Sequence, residues 1–187
     1  GETVADPQTG TDDIWEVMYT QRAIRRWKAD PVPEDLIWRV IEAGTKAPSG
    51  SNLQPWRFVI IQNQETRQAI AAQLSKGLQN ERLRTMLEEG TKSVDKTQRL
   101  MLTGARSLFE NLAQAPVLIV PCLYQVTSPA TEGLLAGSSI YQAVQNIMLA
   151  ARALGLGTVM TTFQGAVDPV LREQCKIPRE ATPVAII

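Results

Sequence analysis

The sequence predicts one domain of mixed helix and strand, α+β or α/β, on three observations. Two short apolar runs, Trp56 to Ile61 (WRFVII) and Pro116 to Leu123 (PVLIVPCL), have the length and composition of buried strands. Around them apolar residues recur at helical spacing, most clearly from about 137 to 154. No segment repeats another, so the strands and helices interleave within one unit.

Each element follows in order. Residues 1–10 are polar, with Asp6, Pro7 and Gly10, and read as a flexible N-terminal arm before a domain over 11–187. A first helix fits 12–20 through Ile14, Val17 and Met18. After Pro31, Pro33 opens a second helix, with Glu34 and Asp35 near its positive end. Its stripe of Leu36, Ile37, Val40, Ile41 and Ala43 ends at Gly44 to Pro48. Asn63 caps a helix carrying Ile70 and Leu74. The polar stretch 75–98 reads as a helical excursion or lid rather than core. Leu108, Phe109 and Leu112 form the next helical face. In the following strand Pro121 pushes that end toward an edge or a bulge. The long helix of 137–154 carries Ile140, Val144, Ile147, Met148, Ala151 and Leu154, and stops at Gly155 as its C-cap. Thr158 to Thr162 reads as a third strand, Asp168 and Pro169 open a short helix, and Pro183 to Ile187 starts a fourth strand.

Composition narrows the chemistry. Nineteen basic and nineteen acidic residues balance, which gives no charged face for nucleic acid or an anionic membrane. No apolar run approaches the ~20 residues that span a bilayer. The N-terminus lacks the basic-then-apolar order of a secretory signal, which a processed chain would have lost. Cys122 and Cys175 make neither a disulfide framework nor a zinc cluster, and read as small core residues in a reducing cytoplasm. Histidine is absent. That removes Ser-His-Asp and Cys-His nucleophiles and every histidine-based metal site. Any chemistry then falls to a carboxylate, a lysine or a bound cofactor.

Three segments could hold such a cofactor. Arg22-Ala23-Ile24-Arg25-Arg26-Trp27 places three arginines in five residues, offering forked donors to a phosphate, although a solvated basic turn has the same composition. Ala47 to Trp56 (APSGSNLQPW) clusters Ser49, Ser51, Asn52 and Gln54 around Gly50, as a loop wrapping a polar tail would. Gly155 to Thr162 (GLGTVMTT) has half of a dinucleotide fingerprint. It follows a helix and opens a strand, the reverse of the Rossmann order, so that reading is rejected. Gly133 and Gly137 make only a chance GxxxG spacing.

In this order the segments Arg22 to Val32 (RAIRRWKADPV), Ala47 to Phe58 (APSGSNLQPWRF) and Ser139 to Thr162 resemble the nitroreductase family of flavoproteins, from about Ile14 to Phe163. The resemblance implies an α+β fold, a central mixed β-sheet surrounded by helices, in an intertwined homodimer with FMN at the interface. By position, Arg22, Ala23 and Arg25 would hold the phosphate and ribityl end, and Pro48, Ser49, Gly50 and Asn52 would meet the flavin from the partner subunit. Met160, Thr161 and Thr162 would lie beside the isoalloxazine near N5, while Gln142 and Asn146 would be structural. The implied cycle is ping-pong: NADH or NADPH gives hydride to flavin N5, and a nitroaromatic, quinone or similar electrophile takes the electrons. No side chain need be catalytic, because the flavin carries the chemistry. Reductive dehalogenation, flavin cleavage and non-catalytic flavin binding are the alternatives.

Two departures stand out. Gln21-Arg22-Ala23 replaces the family's frequent Arg-Arg-Ser, removing one cation and one hydroxyl. The chain also stops at Ile187 inside what reads as a strand, so the C-terminal end reads as incomplete: either the sequence is truncated or part of the usual dimer and phosphate grip is lost. The family's usual Gly-Tyr-Pro turn and phosphate-reaching basic residue would follow there. Substrate selectivity is expected from 75–112 and from around Tyr124 to Leu135, with Phe109 fitting the core better than a substrate wall.

Overall fold

The computed structural model describes residues 10–124 and 134–187. Of the N-terminal arm only Gly10 falls within them. The Thr11 amide already donates to the Ala153 carbonyl at 2.9 Å, so the chain is docked from this point.

Three strands form an antiparallel sheet in the order β1 (Trp56–Ile61), β2 (Leu118–Tyr124), β3 (Ala181–Pro183). The ladder extends beyond β3. Ile187 and Ile119 exchange both backbone bonds, at 2.8 and 2.9 Å, as do Ile186 and Thr161, at 2.8 and 3.0 Å. On the far side Ala23 pairs with Thr158 in parallel. The sheet therefore continues past β3 through 158–161 to the segment at Ala23, and that last pairing makes it mixed.

Eight α-helices within the described residues surround the sheet: α1 (Ile14–Thr20), α2 (Glu34–Thr45), α3 (Gln64–Ser75), α4 (Glu81–Gly90), α5 (Lys96–Asn111), α6 (Leu134–Ser138), α7 (Tyr141–Ala153) and α8 (Gln164–Cys175). Period-two alternation on the strands sorts the core. Leu118, Val120, Cys122, Val59 and Ile61 face a large cluster built with α3, α5 and α8. Ile119, Phe58 and Ile60 face Val40, Ile41, Ile147 and Ala151 of α2 and α7. β2 is thus covered on both faces, as its near-continuous apolar run requires.

Local chemistry sets the ends. Asp13 accepts from the Trp15 and Glu16 amides to start α1, and Asn63 accepts from Thr66 to start α3. Gly155, at φ 78°, closes α7: its amide reaches the Arg152 carbonyl while that of Leu156 reaches back to Ala151. This is a Schellman ending, and it bears out the C-cap read from sequence.

Other expectations are corrected. The helix of 137–154 is two, α6 and α7, with Ser139 and Ile140 between them. Residues 158–162 make single bridges at Thr158 and Thr161 rather than a continuous strand. α8 begins at Gln164, so Pro169 lies inside it and Asp168, instead of capping, pairs with Arg172 at 2.7 Å. The stretch 75–98 is not all lid, because α4 sends Leu87 into the main core at 2% exposure. Of the two readings for Pro121, the bulge holds and the edge does not, because Pro121 sits in the central strand. The Val184 amide donates to the Pro121 carbonyl at 3.0 Å, yet Ile119 pairs with Ile187. One β2 residue, Val120, therefore faces two on the adjoining segment, 185 and 186. Proline has no N–H to return to Val184, whose carbonyl accepts instead from the Tyr141 hydroxyl at 3.3 Å.

α2 and α7 cross at Gly44. A Cβ there would stand 2.8 Å from Ile147 Cγ1 and 3.0 Å from Cδ1. Gly44→Ala is therefore expected to destabilise the fold by about 1–3 kcal/mol, although alanine is the better helix former. Chemical denaturation checks it, and unchanged stability would show that the crossing has slack.

Candidate functional site

The basic segment leaves α1 and runs extended across the end of the sheet. Gln21 caps α1 with extended backbone, and the Ile24 amide donates to the Thr158 carbonyl at 2.9 Å. Extension sets alternation. Arg22, Ile24 and Arg26 line a cavity of about 380 Å³ reaching Val117, Ile119, Thr158 and Ile187, whereas Arg25 turns away to lie over α5. Arg22 donates to the Gln21 carbonyl at 2.7 Å. Among the described residues none of Arg22, Arg25 and Arg26 has a carboxylate partner. Three guanidinium groups without a counter-charge in five positions suit an anionic ligand.

Beside them, the paired groups of Thr161 point inward to Ile186. Alternation then directs the peptide groups of Met160 and Thr162 to the outer edge, where they make no hydrogen bond among the described residues. Met160 and Thr162 are exposed and Thr161 is buried.

The second group lies elsewhere. Pro48, Ser49, Gly50 and Asn52 precede β1, at the opposite edge of the sheet from Ala23. With β2, β3 and 158–161 between them, four strand spacings separate the two groups by roughly 19 Å. One chain does not bring them together.

That loop is tightly built. Ser49 Oγ accepts from the Gln54 amide at 3.0 Å, and the Asn52 side chain accepts from Gln54 Nε2 at 3.0 Å. The Gly50 amide donates to Ser139 Oγ at 3.1 Å, tying the loop to the start of α7. Ser51, Asn52 and Gln54 hold φ values of 51°, 53° and 48°. Such strain in non-glycine residues clusters at ligand-binding segments. Composition and spacing signalled no role for Ser139, because its partner is 89 positions away.

The remaining expectations divide clearly. Asn146 donates to the Ala43 carbonyl at 3.2 Å, joining α7 to α2, and Gln142 is exposed. Phe109 is buried, its ring 4.9 Å from that of Phe163, which is a core role. Tyr124 is exposed, with the Arg57 guanidinium 5.4 Å from its ring centroid. The segment 125–133 lies outside the described residues. Burial pushes the Cys122 thiol up to about 11 and raises that of Cys175, so neither is tuned as a nucleophile.

An α+β domain with this sheet and this cationic edge matches the model of the Nitroreductase family over residues 19–187, and the chain belongs to that family. It is 29% identical over 184 residues to a protein of Methanothermobacter thermautotrophicus named as a candidate NADH dehydrogenase/NAD(P)H nitroreductase, covering 97% of this chain and 78% of that one. It is 29% identical to Iodotyrosine deiodinase 1 of Rattus norvegicus over 81% of this chain and about half, 53%, of that protein. Among solved structures, a nitroreductase with bound FMN from Desulfitobacterium hafniense superposes with a TM-score of 0.69 at 21% identity, over 94% of this chain and 87% of that one.

The strained loop offers a direct test. Gln54→Gly keeps the amide that donates to Ser49 and removes a Cβ from a positive φ, at the cost of the exposed bond to Asn52, so stability should rise by up to about 1 kcal/mol. Gln54→Val should lower it. Thermal melts of both variants decide, and no difference between them would show that the loop is unstrained.

Proposed function

We propose that this chain is an FMN-dependent oxidoreductase taking hydride from NADH or NADPH and reducing a small electrophile such as a nitroaromatic or quinone. The observation that carries the reading is the set of uncompensated arginines at one sheet edge, in a chain of the nitroreductase family. FMN, when bound, supplies the two-electron chemistry.

The protein's own residues bind and orient. Arg22 and Arg25 would hold the phosphate and ribityl end from opposite sides of the extended segment, with the backbone at Ala23 between them. The outward peptide groups of Met160 and Thr162 meet the ring beside them. Thr161 spends its backbone on Ile186 and supports them from behind. Asn52, Gly50, Ser49 and Pro48 reach the flavin from a second subunit, because their edge is too far from Arg22 within one chain.

A homodimer agrees with the surface. Ile14, Trp15, Met18 and Tyr19 on α1 are 49–68% exposed, and Trp38 on α2 is 56% exposed. So much large apolar surface suits a partner. The two unpaired cysteines suit a reducing compartment, and we place the protein in the cytoplasm.

The purified protein should absorb near ~450 nm and bleach on anaerobic addition of NADH or NADPH. A colourless protein that FMN cannot reconstitute would sink the reading. Arg22→Gln should weaken FMN by about 1.5–3 kcal/mol, measured by flavin fluorescence titration. Trp38→Glu should shift sedimentation from dimer to monomer and lose FMN with it. Retained FMN in a monomer would refute a shared site.

The deiodinase relative favours a second reading, reductive dehalogenation. Reduced enzyme offered nitrofurazone and a halotyrosine in parallel separates the two. Flavin that binds and yet accepts no hydride from either nicotinamide would point to a non-catalytic flavin protein.

A further inference from the structure

Gly104 stands in the middle of α5, where glycine is the poorest helix former after proline. No positive φ calls for it there. What occupies the space beside it is Arg25. A Cβ on Gly104 would stand 3.1 Å from Arg25 Cδ, 3.2 Å from Nη1 and 3.6 Å from Nε. Three residues along the same helical face, Ser107 Oγ donates to the Arg25 carbonyl at 3.4 Å. One face of α5 therefore holds Arg25 by both its main chain and its side chain. Arg25 is half-buried, and its guanidinium, laid across Gly104, has no hydrogen-bond or ion-pair acceptor among the described residues.

We infer that Gly104 is a positioning residue for the flavin site: its missing side chain is the seat that sets where the Arg25 guanidinium points. The inference rests on the reading of Arg25 as a cofactor ligand. The physical content is steric. Arginine carries a rigid fork on a flexible stem, and the stem must be fixed before the fork can meet an acceptor at a defined place. The flat stretch of backbone at Gly104 fixes it without offering a competing acceptor. A side chain there lifts the stem off the helix and swings the fork away.

The test is a double-mutant cycle read as FMN affinity of the full chain by fluorescence quenching. Arg25→Ala should weaken FMN about 10-fold or more, the range for a charged hydrogen bond. Gly104→Leu should come close to that loss, and Gly104→Ala, which asks the stem to give only a few tenths of an ångström, should lose less. In the Arg25→Ala background neither Gly104 substitution should weaken FMN further, because the group it displaces is gone. Both raise helix propensity, so the thermal midpoint of the apoprotein should hold, and Gly104→Ala serves if the leucine disturbs folding. A Gly104→Leu loss that persists in full without Arg25 would overturn the inference. So would wild-type affinity in Gly104→Leu when Arg25→Ala is impaired. Wild-type affinity in Arg25→Ala itself would instead remove Arg25 from the flavin site, a separate failure.

Discussion

The burial of β2 on both faces is the constraint from which the rest of the architecture follows. Five consecutive positions, Leu118 to Cys122, are buried. A strand of that kind needs helices on both sides of the sheet and a hydrogen-bonded neighbour along each edge. β1 supplies one neighbour in continuous register. On the other side Pro121 lacks a donor, and regular pairing fails there. The bulge that results inverts the phase of the adjoining strand: Val184 and Ile187 face β2, while Ile186 faces Thr161. That inversion sets Ile186 as the residue that pairs with Thr161, and Thr158 in turn holds Ala23. The cationic segment is thus placed at the sheet edge by a chain of pairings that runs from β2 through Ile186 and Thr161 to Thr158.

The same order separates the two candidate binding groups. β1 can only be reached from the loop at 48–54, and the arginines can only enter at the far edge. A site that uses both groups has to be assembled from two chains. The apolar side chains left exposed on α1 and α2 are what such an assembly would cover. Fold and site are coupled here: the burial that stabilises the monomer also divides its binding groups.

Much of this was legible in the sequence, and the exceptions share a cause. The WRFVII strand, the Asn63 cap and the Gly155 stop are encoded within a few residues, and each appears where its local signal puts it. The Pro121 bulge was half-legible: proline announces a missing donor, but only the pairing partners decide between an edge and a bulge. The α6–α7 break and the early start of α8 were missed because apolar periodicity continues through both. Leu87 was hidden in a polar stretch by its charged neighbours. For the site, the three segments stand out by composition, but their separation across the sheet does not, since strand order is a long-range property. Gly104 and Ser107 carry no signal at all. Their meaning comes from Arg25, some 80 positions earlier in the chain.

A chain without histidine has few ways to activate a nucleophile, and this one has no thiol tuned for the purpose. Its specialised features are geometric instead. Ser51, Asn52 and Gln54 hold left-handed backbone at a cost of order 1–3 kcal/mol each, in a loop whose side chains are exposed and contribute little to the core. Gly104 gives up helix propensity to leave room for an arginine that has no partner of its own. A monomer optimised for its own stability would place glycine in the loop and alanine in the helix. Both sites do the reverse, one at each edge of the sheet. On the proposed reading, a cofactor shared between two copies would use both shapes at once.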